Sequence, residues 1–201
     1  MGKTVAPQEE GSHYEVGVSL GYAEFLRLTR LDRGVFNIDS PILPGMSGCL
    51  LDEIRLMREA GVTEIQFILN SPGGEVGEMF AYHDIIKGLP ATGITTTMMA
   101  VGTVASAAVL ILCAAQKRYS LPNTNFMIHE IASMRGESRT AELEDDTRRT
   151  RGLQAQMLKL IAARAGKSVS VLEKAVSRKD FWMTALEAKK WGLIDAIKQS
   201  V

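Results

Sequence analysis

The chain is poor in the side chains that build metal centres and disulfide frameworks. Among 201 residues there are two cysteines and three histidines. Cys49 and Cys113 stand far apart in apolar segments, G-C-L-L and I-L-C-A, without metal-ligand spacing, and both are expected to pack as small reduced hydrophobes. Neither sign of charge dominates, since lysine plus arginine equals aspartate plus glutamate at 23 each. That balance leaves no basic excess to draw nucleic acid or an anionic membrane, so neither is an expected partner. The N-terminal stretch M-G-K-T-V-A-P-Q-E-E-G-S-H lacks the apolar segment of a secretory signal, and a cytoplasmic location is the expectation. The H-E-x-x-H, Walker, dinucleotide and G-x-S-x-G signatures are missing too. No metal, nucleotide or other cofactor is expected.

What remains is an ordinary globular composition, 46% hydrophobic and 23% charged, with length for one domain over residues 1–201. Residues 1–24 are polar and aperiodic and read as an N-terminal arm. From Gly34 onward, strands and helices alternate. V-F-N-I-D reads as a strand, Gly48 to Ala60 as a helix with Leu51, Ile54 and Met57 on its apolar face, Glu64 to Leu69 as a strand, and Val76 to Ile86 as a helix. Ile94–Met99 is an expected strand, Val104–Ala115 a buried helix, and Arg118–Leu121 and Phe126–Ile128 short strands. Ser138–Ala165 gives the longest helix, charged early and apolar late. Val169–Val176, a threonine-capped T-A-L-E-A-K-K-W helix and a closing G-L-I-D-A-I strand follow. This alternation predicts an α/β architecture with mostly parallel pairing.

Met98–Ala115 is uncharged and about eighteen residues long, enough to cross a bilayer core. Gly102, Thr103 and Ser106 interrupt it, so a buried helix in a soluble protein is the better reading. The serine in its middle stands out. A serine hydroxyl becomes a useful nucleophile only when a neighbouring base takes its proton and a third group orients that base. Of the three histidines, His13 lies in the polar arm and is expected to be solvated, and His83 is expected to be partly exposed on a helix. His129 ends the apolar strand N-F-M-I-H, where a scaffold can hold a side chain rigidly at a cleft. The turn N-S-P-G-G after a strand offers main-chain N–H donors for an oxyanion, because paired glycines allow close approach to a ligand. A helix starting near the serine adds its own first N–H groups.

Four segments in order, N-S-P-G-G (70–74), G-T-V-A-S-A-A (102–108), K-R-Y-S-L-P-N-T-N-F-M-I-H (117–129) and D-F-W-M-T-A-L-E-A-K-K-W-G-L-I-D (180–195), resemble ClpP, the proteolytic subunit family of the Clp protease. The resemblance runs from about Val35 to Ile197. It implies a serine endopeptidase with Ser106 as nucleophile, His129 as base and Asp180 as its orienting carboxylate, and with Gly74 and Ala107 as oxyanion donors. It implies the ClpP/crotonase-type stack of ββα units, with a protruding helix-strand handle at about residues 131–164. It also implies a homo-oligomer of heptameric rings, two of them stacked through the handles, whose chamber an AAA+ unfoldase feeds with unfolded polypeptide. Extended substrate would lie as a strand between Glu75, Val76 and Gly77 on one side and Ala132, Ser133 and Met134 on the other.

The chain departs from the family pattern at Ala107-Ala108, where Met-Gly is usual, and at Glu130-Ile131, where Gln-Pro is usual. Lys179 also replaces a frequent arginine. Three alternatives stay open on sequence alone: a catalytically silent ring subunit or scaffold of the same fold, a crotonase-fold acyl-CoA enzyme, and a Ser-Lys dyad with Lys117 as the base.

Overall fold

The structure, a computed structural model, describes residues 21–132 and 140–201. The elements run α1 (Tyr22–Asp32), β1 (Val35–Ile38), α2 (Met46–Glu59), β2 (Glu64–Ser71), α3 (Val76–Gly88), β3 (Thr95–Ala105), α4 (Ala107–Ala114), β4 (Lys117–Ser120), β5 (Asn125–Ile128), α5 (Thr140–Ala165), α6 (Val169–Val176), β6 (Phe181–Thr184), α7 (Ala185–Trp191) and β7 (Ala196–Ile197). The expected alternation is present. The helix α1, a short 3-10 turn at Leu89–Thr92 and the short strand β6 were not anticipated from the sequence.

The strands form one sheet in the order β1-β2-β3-β4-β7, with β5 joined to β3 and β6 joined to β5. Every pairing is parallel except β5–β6. Alternation along β2 buries Ile65, Phe67, Leu69 and Ser71 while the residues between them keep some exposure, the pattern of a sheet with one fully covered face. On α2 the buried stripe is Leu50, Ile54 and Met57. Leu51, expected on that stripe, points outward at 41% exposure, because the seven-residue spacing from Leu50 to Met57 sets the inner face one position earlier.

The uncharged run from Met98 divides into two elements. Strand β3 continues to Ala105 and the helix begins only at Ala107, so the predicted helix start at Val104 is corrected. All eight residues of α4 are buried, and a side chain such as Leu110 contributes roughly 1.5–3 kcal/mol when fully withdrawn from water. Among the described residues no helix is long and apolar enough to cross a membrane.

Strand β3 also changes partner along its length. Thr97–Ala100 pair with Lys117–Ser120 of β4, and Thr103–Ala105 pair with Asn125–Met127 of β5. The bend between them falls at Gly102, with φ +61, where an added Cβ would lie 2.7 Å from Asn70 Oδ1. Asn70 Oδ1 in turn accepts the Thr103 N–H at 3.0 Å. This fork brings the ends of β3 and β5 together at one edge of the sheet.

On α5, Met157, Leu158, Ile161 and Ala162 pack into the core, while Leu143 and the charged residues near it are exposed. Two smaller expectations fail. Cys49 is exposed whereas Cys113 is buried, since Cys49 follows Gly48 on the outer side of α2. His83 is buried at 7% exposure on the same side of α3 as Met79, Tyr82 and Ile86. His13 and most of the N-terminal arm lie outside the described residues.

Candidate active site

Ser106 occupies the one-residue joint between β3 and α4. Its φ of 56 and ψ of −123 lie in a region that non-glycine residues seldom adopt, and such strain persists only where the surroundings fix it. Here the Ser106 N–H donates to the Met127 carbonyl at 2.8 Å, and the buried β3 end and α4 hold the two sides. The tight turn leaves the hydroxyl at the carboxyl edge of the sheet.

His129 arrives at the same edge because β5 runs parallel to β3, with Ala105 level with Met127. Its Nε2 lies 2.7 Å from Ser106 Oγ. With the proton on Nδ1, Nε2 accepts from the serine hydroxyl, the arrangement a general base requires. Asp180 is delivered by β6. The antiparallel register ends with Ile128 opposite Phe181, so His129 and Asp180 face each other one step beyond the ladder. Their closest approach, Nδ1 to Oδ1, is 3.9 Å, an ion-pair separation rather than a hydrogen bond. The carboxylate side chain is 57% exposed and the imidazole 28%, so water competes for this contact.

The turn after β2 supplies the opposite wall. Gly73 carries φ +95 and packs so tightly that an added Cβ would lie 2.6 Å from Ser106 Cβ. Gly74, at φ +154, leaves no room beside Ile42, whose carbonyl oxygen would sit 2.1 Å from an added Cβ. The Ile42 N–H donates to the Gly73 carbonyl and the Glu75 N–H donates to the Ile42 carbonyl, both at 2.9 Å. In a planar trans peptide the N–H points opposite to the C=O, so the Gly74 N–H is turned away from Ile42. The Ala107 N–H is the first of α4 and has no partner within the helix. Gly74, Ser106, Ala107 and His129 line one cleft of about 260 Å³, with Met79, Met127 and Met157 among its apolar residues.

A second cleft of similar size adjoins it, lined by Glu75, Val76, Gly77, Ile131, Ala132 and α5 residues including Arg149 and Thr150. Glu75 caps α3, and Val76 and Gly77 form its first turn. Ser133 and Met134 lie outside the described residues. Lys117, the alternative base, pairs with Thr97, nine residues before Ser106 along β3 and on the order of 30 Å away at strand rise. The dyad alternative is thereby overturned.

Sequence reasoning missed the residues that hold this site from behind. Ser71 Oγ donates to the Ser40 carbonyl at 2.7 Å and accepts the Gly73 N–H at 3.2 Å. Gln154 of α5 accepts the Ile131 N–H at 2.7 Å through Oε1. A serine two residues before a glycine turn is a recognisable signal for the first; the second is a tertiary contact without a local pattern.

Residues 30–201 match the Clp protease family. The chain belongs to that family. The Clp protease proteolytic subunit 2 of Treponema pallidum is 29% identical over 193 residues, covering 94% of this chain and 92% of that protein. Proteolytic subunit 3 of Rhizobium johnstonii is 31% identical over 171 residues, 84% of each chain. A solved ClpP1 variant from Listeria monocytogenes superposes with a TM-score of 0.77 at 29% identity, over 87% of this chain and 96% of the other. The fold is accordingly of the ClpP type, and by family and fold the chain is a ClpP-type peptidase.

Proposed function

We propose that this chain is a serine endopeptidase acting through Ser106, His129 and Asp180. Ser106 Oγ attacks the peptide carbonyl while His129 Nε2 takes its proton. The imidazolium, oriented by Asp180, then protonates the leaving amine, and water hydrolyses the acyl-enzyme by the same base. The Gly74 and Ala107 N–H groups receive the oxyanion, where loss of one donor lowers the rate by about a hundredfold or more. The 2.7 Å contact between Ser106 and His129 on a strained joint carries this reading. A structural serine would need neither the strain nor the imidazole.

Extended substrate occupies the groove between Glu75–Gly77 and Ala132–Met134. Two facts support it: the continuous clefts along that line, and the Ile131 N–H already engaged by Gln154. In an extended chain the next N–H, that of Ala132, points the other way and is free for substrate main chain. Assembly into stacked heptameric rings fed by an AAA+ unfoldase fits the family and the exposed first half of α5, where Leu143 lies beside Glu144, Arg148 and Arg151. The handle region begins at Ile131, and residues 133–139 of it lie outside the described residues.

The experiment is a solution mass on the sample used for fluorogenic-peptide hydrolysis, with Ser106→Ala beside wild type. A ring-sized particle whose activity vanishes in the variant is the expected result; an activity indifferent to Ser106→Ala sinks the assignment. The 3.9 Å gap between His129 and Asp180 favours one second reading, a catalytically silent ring subunit. Stoichiometric labelling of Ser106 by a fluorophosphonate excludes it.

A further inference from the structure

We propose that Ser71 is a positioning residue for the oxyanion donor Gly74, acting through the two peptide planes between them. The inference rests on the reading of Gly74 as an oxyanion donor given above. Ser71 closes β2 with its side chain fully buried at 0% exposure, in a register that shifts after Leu69 so that Ser71 pairs with Val104 of β3. A buried hydroxyl among apolar neighbours needs partners, and both of its partners are main chain. The single proton goes to the Ser40 carbonyl at 2.7 Å, and a lone pair receives the Gly73 N–H at 3.2 Å.

Those two bonds tie the oxyanion turn to the segment after β1. The same segment grips the turn again at Ile42, whose N–H holds the Gly73 carbonyl. Gly73 is therefore fixed at its N–H by Ser71 and at its carbonyl by Ile42. Its φ of +95 is defined between those anchors, and so is the direction of the following N–H, that of Gly74. Removing the hydroxyl releases one anchor and strands the buried Gly73 N–H and the Ser40 carbonyl without their shared partner. The peptide then has reason to rotate, and a donor that rotates is no longer preorganised for the transition state. Ground-state binding, made along Glu75–Gly77 and Ala132, does not depend on that plane.

The test compares Ser71→Ala and Ser71→Thr with wild type in the full chain. It measures kcat and KM on a fluorogenic peptide, affinity for a peptide boronate that forms a tetrahedral adduct on Ser106, and thermal melting. For Ser71→Ala, kcat and boronate affinity are expected to fall together by about tenfold or more, with KM within about twofold, and Ser71→Thr is expected to restore both. Should the added methyl of threonine prevent folding, Ser71→Cys replaces it. That variant keeps the shape with a weak hydrogen-bonding sulfur, and is expected to melt like wild type yet lose activity like Ser71→Ala. Wild-type kcat and boronate affinity in Ser71→Ala or Ser71→Cys overturns the proposal, as does a parallel loss of kcat, KM and melting temperature that no hydroxyl restores. A wild type that neither hydrolyses peptide nor binds the boronate overturns the nucleophile assignment and this inference with it, whereas an active wild type matched by Ser71→Ala overturns the inference alone.

Discussion

Asp180 Oδ1 stands 3.9 Å from His129 Nδ1 while His129 Nε2 is already 2.7 Å from Ser106 Oγ. The imidazole is within hydrogen-bond distance on its serine side and beyond it on its carboxylate side. The strand ends that carry both residues are in register, and the Asp180 carboxylate is 57% exposed.

That relationship gives the first prediction. Asp180→Asn is expected to lower kcat by about a hundredfold or more, since the orienting carboxylate of a Ser-His pair matters most when the imidazole becomes charged. Steady-state peptide hydrolysis checks it. A loss below about threefold would mean that the gap never closes during turnover.

Gly73→Ala is expected to abolish measurable turnover. The new Cβ meets Ser106 Cβ, the Ala105 carbonyl and the Ala107 nitrogen within 2.9 Å at a φ of +95, so Ser106, Ala107 or the turn must shift. Kinetics read the loss, and a melting curve read beside them is expected to fall as well, because backbone atoms rather than a flexible side chain stand in the way.

The two thiols are expected to separate by reactivity. Burial pushes the Cys113 thiol up to about 11, which leaves on the order of a thousandth of it as thiolate at pH 8, and it is enclosed besides. Cys49 is exposed. Titration with a chromogenic disulfide at pH 8 is expected to release one equivalent from the native protein and the second only in denaturant.

Acid is expected to loosen the Arg118 network. Burial of Asp195 pushes its carboxyl up, but the hydrogen bonds from the Arg118 side chain and N–H outweigh it and hold the group below its ordinary value. The Arg118 side chain is only 4% exposed and also donates to the Gly192 carbonyl at 3.0 Å. A carboxyl depressed in the folded state stabilises it above the unfolded-state value near 4 and ceases to as pH falls through the lower folded value. Urea midpoints at pH 7 and pH 3 are expected to differ more for wild type than for Asp195→Asn. Equal differences would remove this pair from the acid response.

Much of this architecture was legible because each element announces itself locally. Thr184 and Glu187 form a reciprocal cap on α7, and Val169–Val176 was bounded correctly by its apolar spacing. The order of the four segments at 70–74, 102–108, 117–129 and 180–195 carried the family resemblance. The helix boundary at Ala107 was not legible, since Met98–Ala100, Val104–Ala105 and Ala107–Ala114 are apolar and buried on both sides of the joint, and periodicity cannot tell an enclosed strand from an enclosed helix. Strand β6 was hidden for another reason. Phe181–Thr184 is four residues long and pairs with sequence some fifty positions away, so its strand character comes from β5 rather than from itself. Gln154 was invisible because its partner, the Ile131 N–H, is brought close only by folding, whereas Ser71 carried a local turn signal but not its bond to the Ser40 carbonyl.

The strained joint at Ser106 divides the site into two halves of unequal stiffness. On one side the backbone is locked between a buried strand end and a buried helix, so the Ser106 hydroxyl and the Ala107 N–H cannot be retuned without disturbing the core. On the other, His129 and especially Asp180 are reached by solvent and sit at the fringe of a four-residue strand. On the reading proposed above, a change at the exposed carboxylate side would alter the geometry of the pair while leaving the serine where it is.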